Sequence, residues 1–478
     1  MCLIQCPYEL NNTESGDKMQ LLRDVVRRFI WMVSDIDSIC YFCYCRFRTS
    51  YGRKSVKIGL QTWGSDGDIR PFLALAGGLR AAGHDVSLVV TSVDNKNYQS
   101  IGAELDIPVR HTRGPGYDDA MLRMLADKLI RSRDPLAQIR IVLEFAFYPL
   151  VPDMFSASQK LCAANDLVIG HFIHTPLHTA AELSGKPHVS VMLNHIGIYS
   201  KHVPIFGVPQ LGLWLNPFWH KLISMMMDRF LGPHVNALRK SVNLPMVQNI
   251  SETVWTSRTL NLLAESSALC HKQPDWPQYH HVCGFFELPD ASEPWTLPED
   301  LKRFLDAGSP PIYMSVGSML SLDPEPEIIT STLVQGALLA GCRAIVQSRW
   351  NDLPDFPDHS QIYKIHKTPH QHIFPLCSAV VHHGGAGTSH TATLHGCPSI
   401  VIEHVLDQQF FADTLQKAGV APKALHRRTI TAQKLAKTIK EVLSSPDMKK
   451  RAEELGSRMK QENGVKMAVE LIEQQFAG

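Results

Sequence analysis

The sequence has almost no net charge and lacks a long hydrophobic run. Its 478 residues carry 47 basic and 46 acidic side chains, so no chain-wide field would attract nucleic acid. Prolines and lysines interrupt the apolar stretch 196–227, which therefore lacks the roughly 20 apolar residues that a spanning helix needs. Pro7, Glu9 and Asn11 interrupt the opening, and no signal peptide is predicted. We predict a cytoplasmic protein without a nucleic-acid partner, and peripheral contact with membranes stays open.

The cysteines do not follow the pattern of a disulfide framework. Five of the 11 fall in the first 45 residues, and the other six are scattered singly, whereas a secreted scaffold would be denser and more regular. Cys40 and Cys43 have the spacing of a metal knuckle, but no second pair follows nearby. Reduced thiols are therefore favoured over a metal site.

The chain is long enough for two domains, because a single hydrophobic core stops growing below this size. Residues 56–60 and 87–90 have the pattern of strands flanking a helix, and an acidic, proline-containing stretch follows Gly284 before the strand pattern restarts at Ile312. The predicted architecture is α/β, with two doubly wound parallel sheets. The predicted segments are a poorly ordered extension (1–50), a first domain (51–285), a linker (286–299), a second domain (300–462) and a C-terminal segment (463–478).

The most informative segment is a glycine cluster after an apolar run, in residues 380–389. Glycines let a backbone approach a ligand, and the first turn of a following helix offers unpaired N–H groups to an anion. This pattern predicts a cradle for a nucleotide diphosphate. The candidate residues are His383, Gly384, Gly385, Gly387, Thr388 and Ser389, while His382 is predicted to pack at the strand end.

A second polar loop follows the next predicted strand, at residues 400–402. Asp407 and Gln408 lie in this loop. Because the carboxyl ends of parallel strands form one edge of a sheet, both loops are expected to face the same ligand.

These loops and three further motifs resemble sterol 3-beta-glucosyltransferases and antibiotic glycosyltransferases of the GT-B fold, with a first domain of the glycosyltransferase family 28 type. The resemblance covers roughly residues 55–475 in the expected order. The motifs are Gly64-Ser65-Asp66-Gly67-Asp68-Ile69-Arg70-Pro71, Val316-Gly317-Ser318, Thr368-Pro369-His370-Gln371-His372, and His382-His383-Gly384-Gly385-Ala386-Gly387-Thr388 followed by Asp407-Gln408. The family implies two Rossmann-like domains that face a cleft, with the segment Val465 to Phe476 returning to the first domain as a helix.

The resemblance implies that Asp68 is the base that deprotonates an acceptor hydroxyl. An ordinary aspartate has a pKa near 3.9, so apolar burial would have to raise it. On local sequence alone, Asp68 could instead cap a helix opened by Pro71. Asp66 stands where many relatives have arginine, and it remains an alternative base.

The resemblance also assigns the donor half of the reaction. Gly317 and Ser318 are expected to approach the diphosphate, and Asp407 and Gln408 to bind glucose. The uracil pocket is predicted at Trp350, Thr368 and Pro369, although a tryptophan there could equally belong to the core. Since no Asp-x-Asp motif is evident at the sugar-nucleotide site, neither a metal nor a further cofactor is expected besides the co-substrate UDP-glucose.

The acceptor pocket is assigned to the first domain, which is rich in aromatic and methionine side chains. Its candidate residues are His171, His195, Trp214 and Phe218. We therefore predict an inverting enzyme that transfers glucose from UDP-glucose to a hydrophobic alcohol, such as a sterol or triterpenoid. The alternatives are a nucleotide-dependent oxidoreductase, which the lack of a Gly-x-Gly-x-x-Gly motif disfavours, and a non-catalytic binder of lipids or sugar nucleotides.

Overall fold

The computed structural model describes residues 55–132, 134–203, 212–288, 295–317, 319–348, 350, 359–366, 368–405 and 407–477, with the side chains of 119, 135, 321, 322 and 407 left out. The predicted extension (1–50) and residues 289–294 of the predicted linker therefore lie outside the described residues. Ser55–Phe476 forms one compact unit.

The first half of this unit is built on a seven-stranded parallel sheet. Its strands are β1 Lys57–Gly64, β2 Asp85–Ser92, β3 Val109–His111, β4 Leu167–His171, β5 His188–Met192, β6 Leu260–Leu263 and β7 His280–Val282. They lie in the order β3-β2-β1-β4-β5-β6-β7. The central strands are buried, which is expected of a parallel sheet covered on both faces.

Helices cover this sheet and extend beyond it. They are α1 Asp66–Ala81, α2 Gln99–Glu104, α3 Asp119–Arg131, α4 Pro135–Val142, α5 Val151–Ala164, α6 Thr175–Ser184, α7 Leu215–Ser241 and α8 Ile250–Thr253. A π-helical turn, Leu143–Phe147, and a 3-10 turn, Tyr148–Leu150, join α4 to α5. Among the described residues, none of the helices has both the length and the apolarity required to cross a bilayer.

The second half repeats the plan with six parallel strands. These are β8 Ile312–Met314, β9 Ala344–Gln347, β10 Ile362–Ile365, β11 Ala379–His382, β12 Ser399–Glu403 and β13 Leu425–His426, in the order β10-β9-β8-β11-β12-β13. The helices are α9 Glu299–Asp306, α10 Met319–Leu322, α11 Pro326–Ala340, α12 His370–Ile373, α13 Ala386–Leu394, α14 Asp407–Lys417, α15 Ala432–Leu443, α16 Pro446–Met459 and α17 Gly464–Phe476. A 3-10 turn, Phe374–Leu376, follows α12.

The last helix, α17, packs back on the first half of the molecule, as predicted. A β-carbon at Gly78 of α1 would overlap the Val465 side chain, so glycine permits this close helix contact. Farther along, His84 Nε2 lies 3.6 Å from Glu473 Oε1. The second half of the chain is thereby tied to the first sheet.

Helix α1 begins earlier than the sequence indicates. The pattern predicts a loop from Gly64 to Pro71, but the helix starts at Asp66 and contains Pro71. Ser65 is the N-cap, and the Asp68 side chain reaches back to its backbone N–H in a capping box. The expected loop residue Asp68 is therefore held on the first turn of a helix.

Candidate active site in the interdomain cleft

A cavity of about 1610 Å³ is lined by residues of both halves of the molecule. Asp68 and His171 belong to the first half, at the carboxyl edge of its sheet. His383, Gly385 and Gln408 line the same cavity from the second half. The sequence-predicted base, diphosphate loop and sugar-binding amide thus face one shared space.

The capping box orients the Asp68 carboxylate. Its Oδ2 atom accepts hydrogen bonds from the Ser65 backbone N–H (2.8 Å) and hydroxyl (3.0 Å). The Oδ1 atom has no hydrogen bond among the described residues, and it lies 3.8 Å from His171 Nε2. Capping and a place in the cavity, considered as alternatives from the sequence, therefore occur together. One oxygen anchors the side chain and the other remains for a ligand.

Burial raises the pKa of Asp68 from 3.8 to about 6. The Ser65 hydrogen bonds lower it, while the charges of Asp94 and Asp66 raise it. This carboxylate is consequently a stronger base than an ordinary aspartate, yet it is ionised at neutral pH. Asp66 itself accepts a hydrogen bond from the Tyr98 hydroxyl at 3.1 Å and does not line the cavity.

His171 lies next to Asp68, the predicted base, rather than deep in an acceptor pocket. Burial and the neighbouring His174 lower the pKa of His171 to about 3, so the ring is neutral at pH 7. A charged histidine beside Asp68 would depress the pKa of the carboxyl group. The neutral ring therefore preserves the basicity of Asp68.

The His383 ring is enclosed by two glycines. Gly317 has φ +57°, and a β-carbon there would approach the ring to 2.6 Å; at Gly385 it would approach to 2.5 Å. Burial, followed by the effect of nearby histidines, lowers the pKa of His383 to about 3. The ring can therefore offer a neutral N–H to an anion, but it does not carry a permanent positive charge.

Helix α13 begins directly after this histidine, with Gly385 as its N-cap. Its first amides, at residues 386–388, have no carbonyl partner within the helix. A β-carbon at Gly387 would meet only Phe285 Cζ, at an ordinary 3.7 Å. Thr388 is half-buried. Together with the cavity-lining Gly385 and Ala386, this start of α13 can receive a phosphate.

Ser389 follows residues 386–388 in the first turn of α13. Its amide donates to the Gly385 carbonyl oxygen at 2.9 Å. The side chain is completely buried, and its hydroxyl has no hydrogen-bond partner among the described residues. The structure therefore sets Ser389 behind the amides that face the cavity.

Gln408 connects the two loops that the sequence predicts to bind the donor. Its Oε1 atom accepts from the His404 N–H (2.7 Å) and the Val405 N–H (3.2 Å), which leaves the side-chain NH₂ group for a ligand. Its backbone oxygen would lie 2.9 Å from a β-carbon at Gly384, where φ is +89°. The Asp407 backbone begins α14. The side chain of Asp407 and the whole of Ser318 lie outside the described residues.

The three predicted uracil contacts lie at the carboxyl ends of β9 and β10, outside the lining of the large cavity. The Trp350 indole N–H donates to the carbonyl oxygens of Val346 (3.2 Å) and Ile365 (3.1 Å). Thr368 is buried, and its hydroxyl lacks a partner within the described chain. Pro369 precedes α12 as its N-cap.

Of the four predicted acceptor residues, His171 lines the cavity and the other three do not. His195 bonds to Glu265 outside the cavity lining, and Trp214 and Phe218 are exposed by 92% and 58%. The wall is formed instead by α3, α4, the π-helical turn and the middle of α7, with Trp63 at the end of β1. The indole of Trp63 donates to the Ala146 oxygen at 2.8 Å.

Sequence reasoning also missed Asp94, which lines the cavity near Asp68. Asp94 follows β2, at the same sheet edge as the α1 N-terminus. It accepts a hydrogen bond from the Ser92 hydroxyl at 2.6 Å and lies 3.1 Å from Lys96 Nζ. Its position after a buried strand could have indicated it.

Comparisons with known proteins agree with this fold. The family model described as the erythromycin biosynthesis protein CIII-like C-terminal domain matches residues 333–473. A glycotransferase of kitacinnamycin superposes with a TM-score of 0.63 at 18% identity, covering 88% of this chain and 99% of that one. The glycosyltransferase VinC, in complex with dTDP, superposes with a TM-score of 0.59 at 20% identity. The match covers 88% of this chain and 100% of VinC.

The chain has the GT-B fold. It is also 26% identical over 432 residues to a sterol 3-beta-glucosyltransferase of Arabidopsis thaliana, and 25% identical over 447 residues to one of Aspergillus fumigatus. These alignments cover 87% and 88% of this chain but only 67% and 30% of the relatives, so the chain spans a part of the proteins that it resembles. The resemblance and fold class predicted from the sequence are confirmed, and the likenesses indicate a glycosyltransferase.

Proposed function

We propose that this GT-B protein transfers glucose from UDP-glucose to the hydroxyl of a hydrophobic alcohol, with inversion at the anomeric carbon. The observation that carries the proposal is the shared cavity, which Asp68 lines from the first half and the His383 loop from the second. A base and a leaving-group cradle on opposite sides of one space fit a single displacement.

In the proposed step, Asp68 Oδ1 accepts the proton of the acceptor hydroxyl. The acceptor oxygen forms a bond to the anomeric carbon while the bond from that carbon to the β-phosphate oxygen breaks. The electron pair of the broken bond leaves on UDP. The N–H of His383 and the free amides of α13 would stabilise the developing charge, and fixed donors of this kind are effective because they need no reorganisation.

The remaining donor-side residues would hold the glucose and the uracil ring of UDP-glucose. Gln408 can donate its NH₂ group to a sugar hydroxyl, and we assign Asp407 to the same sugar. Trp350, Thr368 and Pro369 are proposed to contact uracil. The proposal requires no divalent cation in the cleft, because neutral donors take the place of a metal at the diphosphate.

A sterol or another flat, hydroxylated lipid suits the acceptor side. The cavity is large enough for such a molecule, since ligand pockets commonly measure roughly 300 to 1,000 Å³, and its first-half wall is mostly apolar, including Leu143, Phe147 and Met227. The names of the curated relatives indicate sterol acceptors for those proteins. We propose the same class here.

The proposed reaction is tested by incubating the chain with UDP-glucose and a panel of sterols, triterpenoids and hydroxylated fatty acids. Mass spectrometry should detect a product heavier by one hexose, with one UDP released for each product. UDP release without a glycosylated lipid would show that the chain hydrolyses UDP-glucose and does not transfer its glucose to these acceptors. Thermal stabilisation by NAD(P) but not by UDP would favour an oxidoreductase instead.

We also propose that the start of α7 contacts a membrane that holds the acceptor. Leu213, Trp214, Leu215 and Phe218 present large apolar side chains to solvent there. Lys201 and Lys221 are exposed basic side chains on the adjoining loop and on α7. Tryptophan and apolar side chains with flanking lysines are typical of segments that lie in a membrane interface.

The same helix leads from this surface to the cavity. Ser224, Met227, Leu231 and Leu238 lie farther along α7 and line the cavity wall. A lipid acceptor leaving a bilayer at the start of α7 would therefore reach an apolar wall without crossing the polar face of the protein.

A further inference from the structure

Three potential metal ligands converge outside the catalytic cavity. His195 follows β5 and Glu265 follows β6, the neighbouring strand of the first sheet, and Cys270 closes the loop after Glu265. One donor atom from each of these side chains lies within 4.8 Å of the other two. None of the three lines the large cavity.

The cluster is buried and contains an unsatisfied carboxylate oxygen. Glu265 and Cys270 are each 1% exposed, and the His195 side chain is 19% exposed. His195 Nδ1 lies 2.8 Å from Glu265 Oε2. The second oxygen, Glu265 Oε1, is buried without a hydrogen-bond partner among the described residues. A buried carboxylate oxygen without a partner is costly, and a bound cation would supply the missing interaction.

The backbone around the cluster is fixed by hydrogen bonds. The Ala264 N–H donates to the Met192 oxygen (2.8 Å), and the Gly284 N–H donates to the Glu265 oxygen (2.9 Å). The Cys270 N–H closes the loop on the Ser266 oxygen at 2.8 Å. Since these contacts hold the ligands in place before an ion binds, the backbone would lose little conformational entropy on binding.

We propose that His195, Glu265 and Cys270 bind a zinc ion, with water at the fourth position. Nitrogen, carboxylate oxygen and thiolate are all ligands that Zn²⁺ accepts, at distances of about 2.0 to 2.3 Å. One thiolate and one carboxylate balance the two positive charges, so the loaded site is neutral. A thiolate also favours zinc over magnesium or calcium, which prefer oxygen ligands.

A second cavity provides an entrance. It measures about 380 Å³, and Cys270 lines it together with Ser267, Lys272 and Met467. The positive charges near the cluster are Lys272, on the cavity wall, and Lys417, which acts on His195. The Cys270 thiol must lose its proton to bind zinc as a thiolate.

The position of the cluster gives the ion a structural role. The intervening loop meets the second half of the chain, where the Ser266 N–H donates to His390 Nε2 on α13 (3.2 Å). The His195 ring also lies 4.9 Å from the ring of Phe410 on α14. Both helices begin with the donor-site residues described above. Zinc would thus stiffen the loop on which the donor half rests.

The test is titration with Co²⁺ of the chelator-treated chain carrying Cys40→Ser and Cys43→Ser, which removes the pair with metal-knuckle spacing. Cobalt reports thiolate ligation through a near-ultraviolet charge-transfer band. One equivalent should produce the band, and Zn²⁺ should displace the cobalt and raise the Tm. Cys270→Ser should abolish the band while retaining UDP binding, which shows that the variant is folded. Cys162→Ser, at another buried thiol of the first half, should behave like the parent.

A band that persists in Cys270→Ser, or saturation without any band, would overturn the proposal. Glu265→Gln should weaken zinc binding at least tenfold, because it replaces the anionic ligand with an amide. Equal zinc affinity in Glu265→Gln and the parent would likewise reject the site.

Discussion

The two walls of the cleft are built in different ways. The wall proposed to bind the donor, called the donor wall, comes from short loops, above all the contiguous residues 383–389. It presents backbone amides and one enclosed histidine. The acceptor wall comes from side chains on segments between Trp63 and Trp255. A site made from backbone needs particular residues in a particular order, whereas a packed cavity can be formed by many arrangements of apolar side chains. The first kind of site is therefore visible in a sequence, and the second is not.

Burial acts on both walls, with different chemical results. It raises the pKa of Asp68 to about 6 and lowers the pKa of His383 to about 3. In each case the uncharged form is favoured, as expected for a group removed from water. On the acceptor side this strengthens a base, and on the donor side it yields a neutral hydrogen-bond donor.

The largest expected effect distinguishes Asp68 from its neighbour Asp66. Asp68→Asn retains an oxygen that can accept the Ser65 hydrogen bonds, but it removes the base, so kcat should fall by about 10² to 10⁴ with UDP affinity unchanged. Asp66→Asn is the matched control, because Asp66 binds Tyr98 outside the cavity. Discontinuous assays of UDP release measure kcat, and calorimetry measures the affinity for UDP. Near-normal turnover of Asp68→Asn would remove it from the base role.

On the donor wall, two glycines can be compared. Gly387→Ala meets no protein atom closer than 3.7 Å, so the protein should fold normally, but a methyl group beside the diphosphate should weaken UDP binding at least tenfold. Gly384→Ala is strained at φ +89° and would crowd Gln408 and Val401, so it should lose about 1–3 kcal/mol of unfolding free energy.

These two variants distinguish a glycine needed for UDP binding from a glycine needed for stable folding. Thermal unfolding and UDP titration are measured on both. If Gly387→Ala bound UDP as well as the parent does, the diphosphate would not lie at the start of α13.

The pH dependence of kcat/KM tests Asp68 on the acceptor side of the cleft. Because Asp68 must be ionised to accept a proton, kcat/KM should fall tenfold per unit as pH drops below about 6 and should level off above it. Ser65 lowers the pKa of Asp68, so Ser65→Ala should move this limb to higher pH, whereas Asp66→Asn should move it to lower pH. Rates independent of pH between 5 and 7 would contradict the assignment.

Stability should respond to Asp68 in the opposite sense. Its pKa is higher in the folded chain than in an unfolded one, so this group alone makes folding less favourable as pH rises from about 4 to 6. Asp68→Asn should therefore be at least as stable as the parent at pH 7.5, and a clear loss of Tm would point to a purely structural role.

The smallest effect concerns the outer end of the acceptor wall. Replacing both Trp214 and Phe218 by alanine should reduce sedimentation with phosphatidylserine-containing vesicles several-fold, because their apolar area is lost from the interface. Turnover of an acceptor supplied in detergent should not change. Met246→Ala, at an exposed methionine outside α7, is the control. Equal vesicle binding by parent and double variant would exclude this surface.

The fold was largely predictable because its strands are short apolar runs bounded by breakers. The predicted strand at residues 87–90 lies within β2, and β8 begins at Ile312, where the strand pattern restarts. The start of α1 was not predicted, because Gly67 and Pro71 are typical of loops. The capping box of Ser65 and Asp68 satisfies amides of the first turn, and this local bonding outweighs the composition.

The structure brings predicted site residues together where they follow a strand closely. His383, Gly385 and Asp68 line the cavity because each lies just after a parallel strand. Trp214 and Phe218 were chosen for residue type alone, and their helix turns them to solvent. The pairing of His195 with Glu265 required knowledge that β5 and β6 are neighbours, which a single sequence does not provide.

The central claim is a single displacement across the cleft, with the acceptor oxygen attacking from the Asp68 side while UDP leaves on the His383 side. The anomeric proton coupling in the NMR spectrum of the product made from UDP-glucose tests this claim most directly. We predict the large coupling of a β-glucoside. The small coupling of an α-glucoside would contradict it, because the donor bond would then have been replaced on the same face.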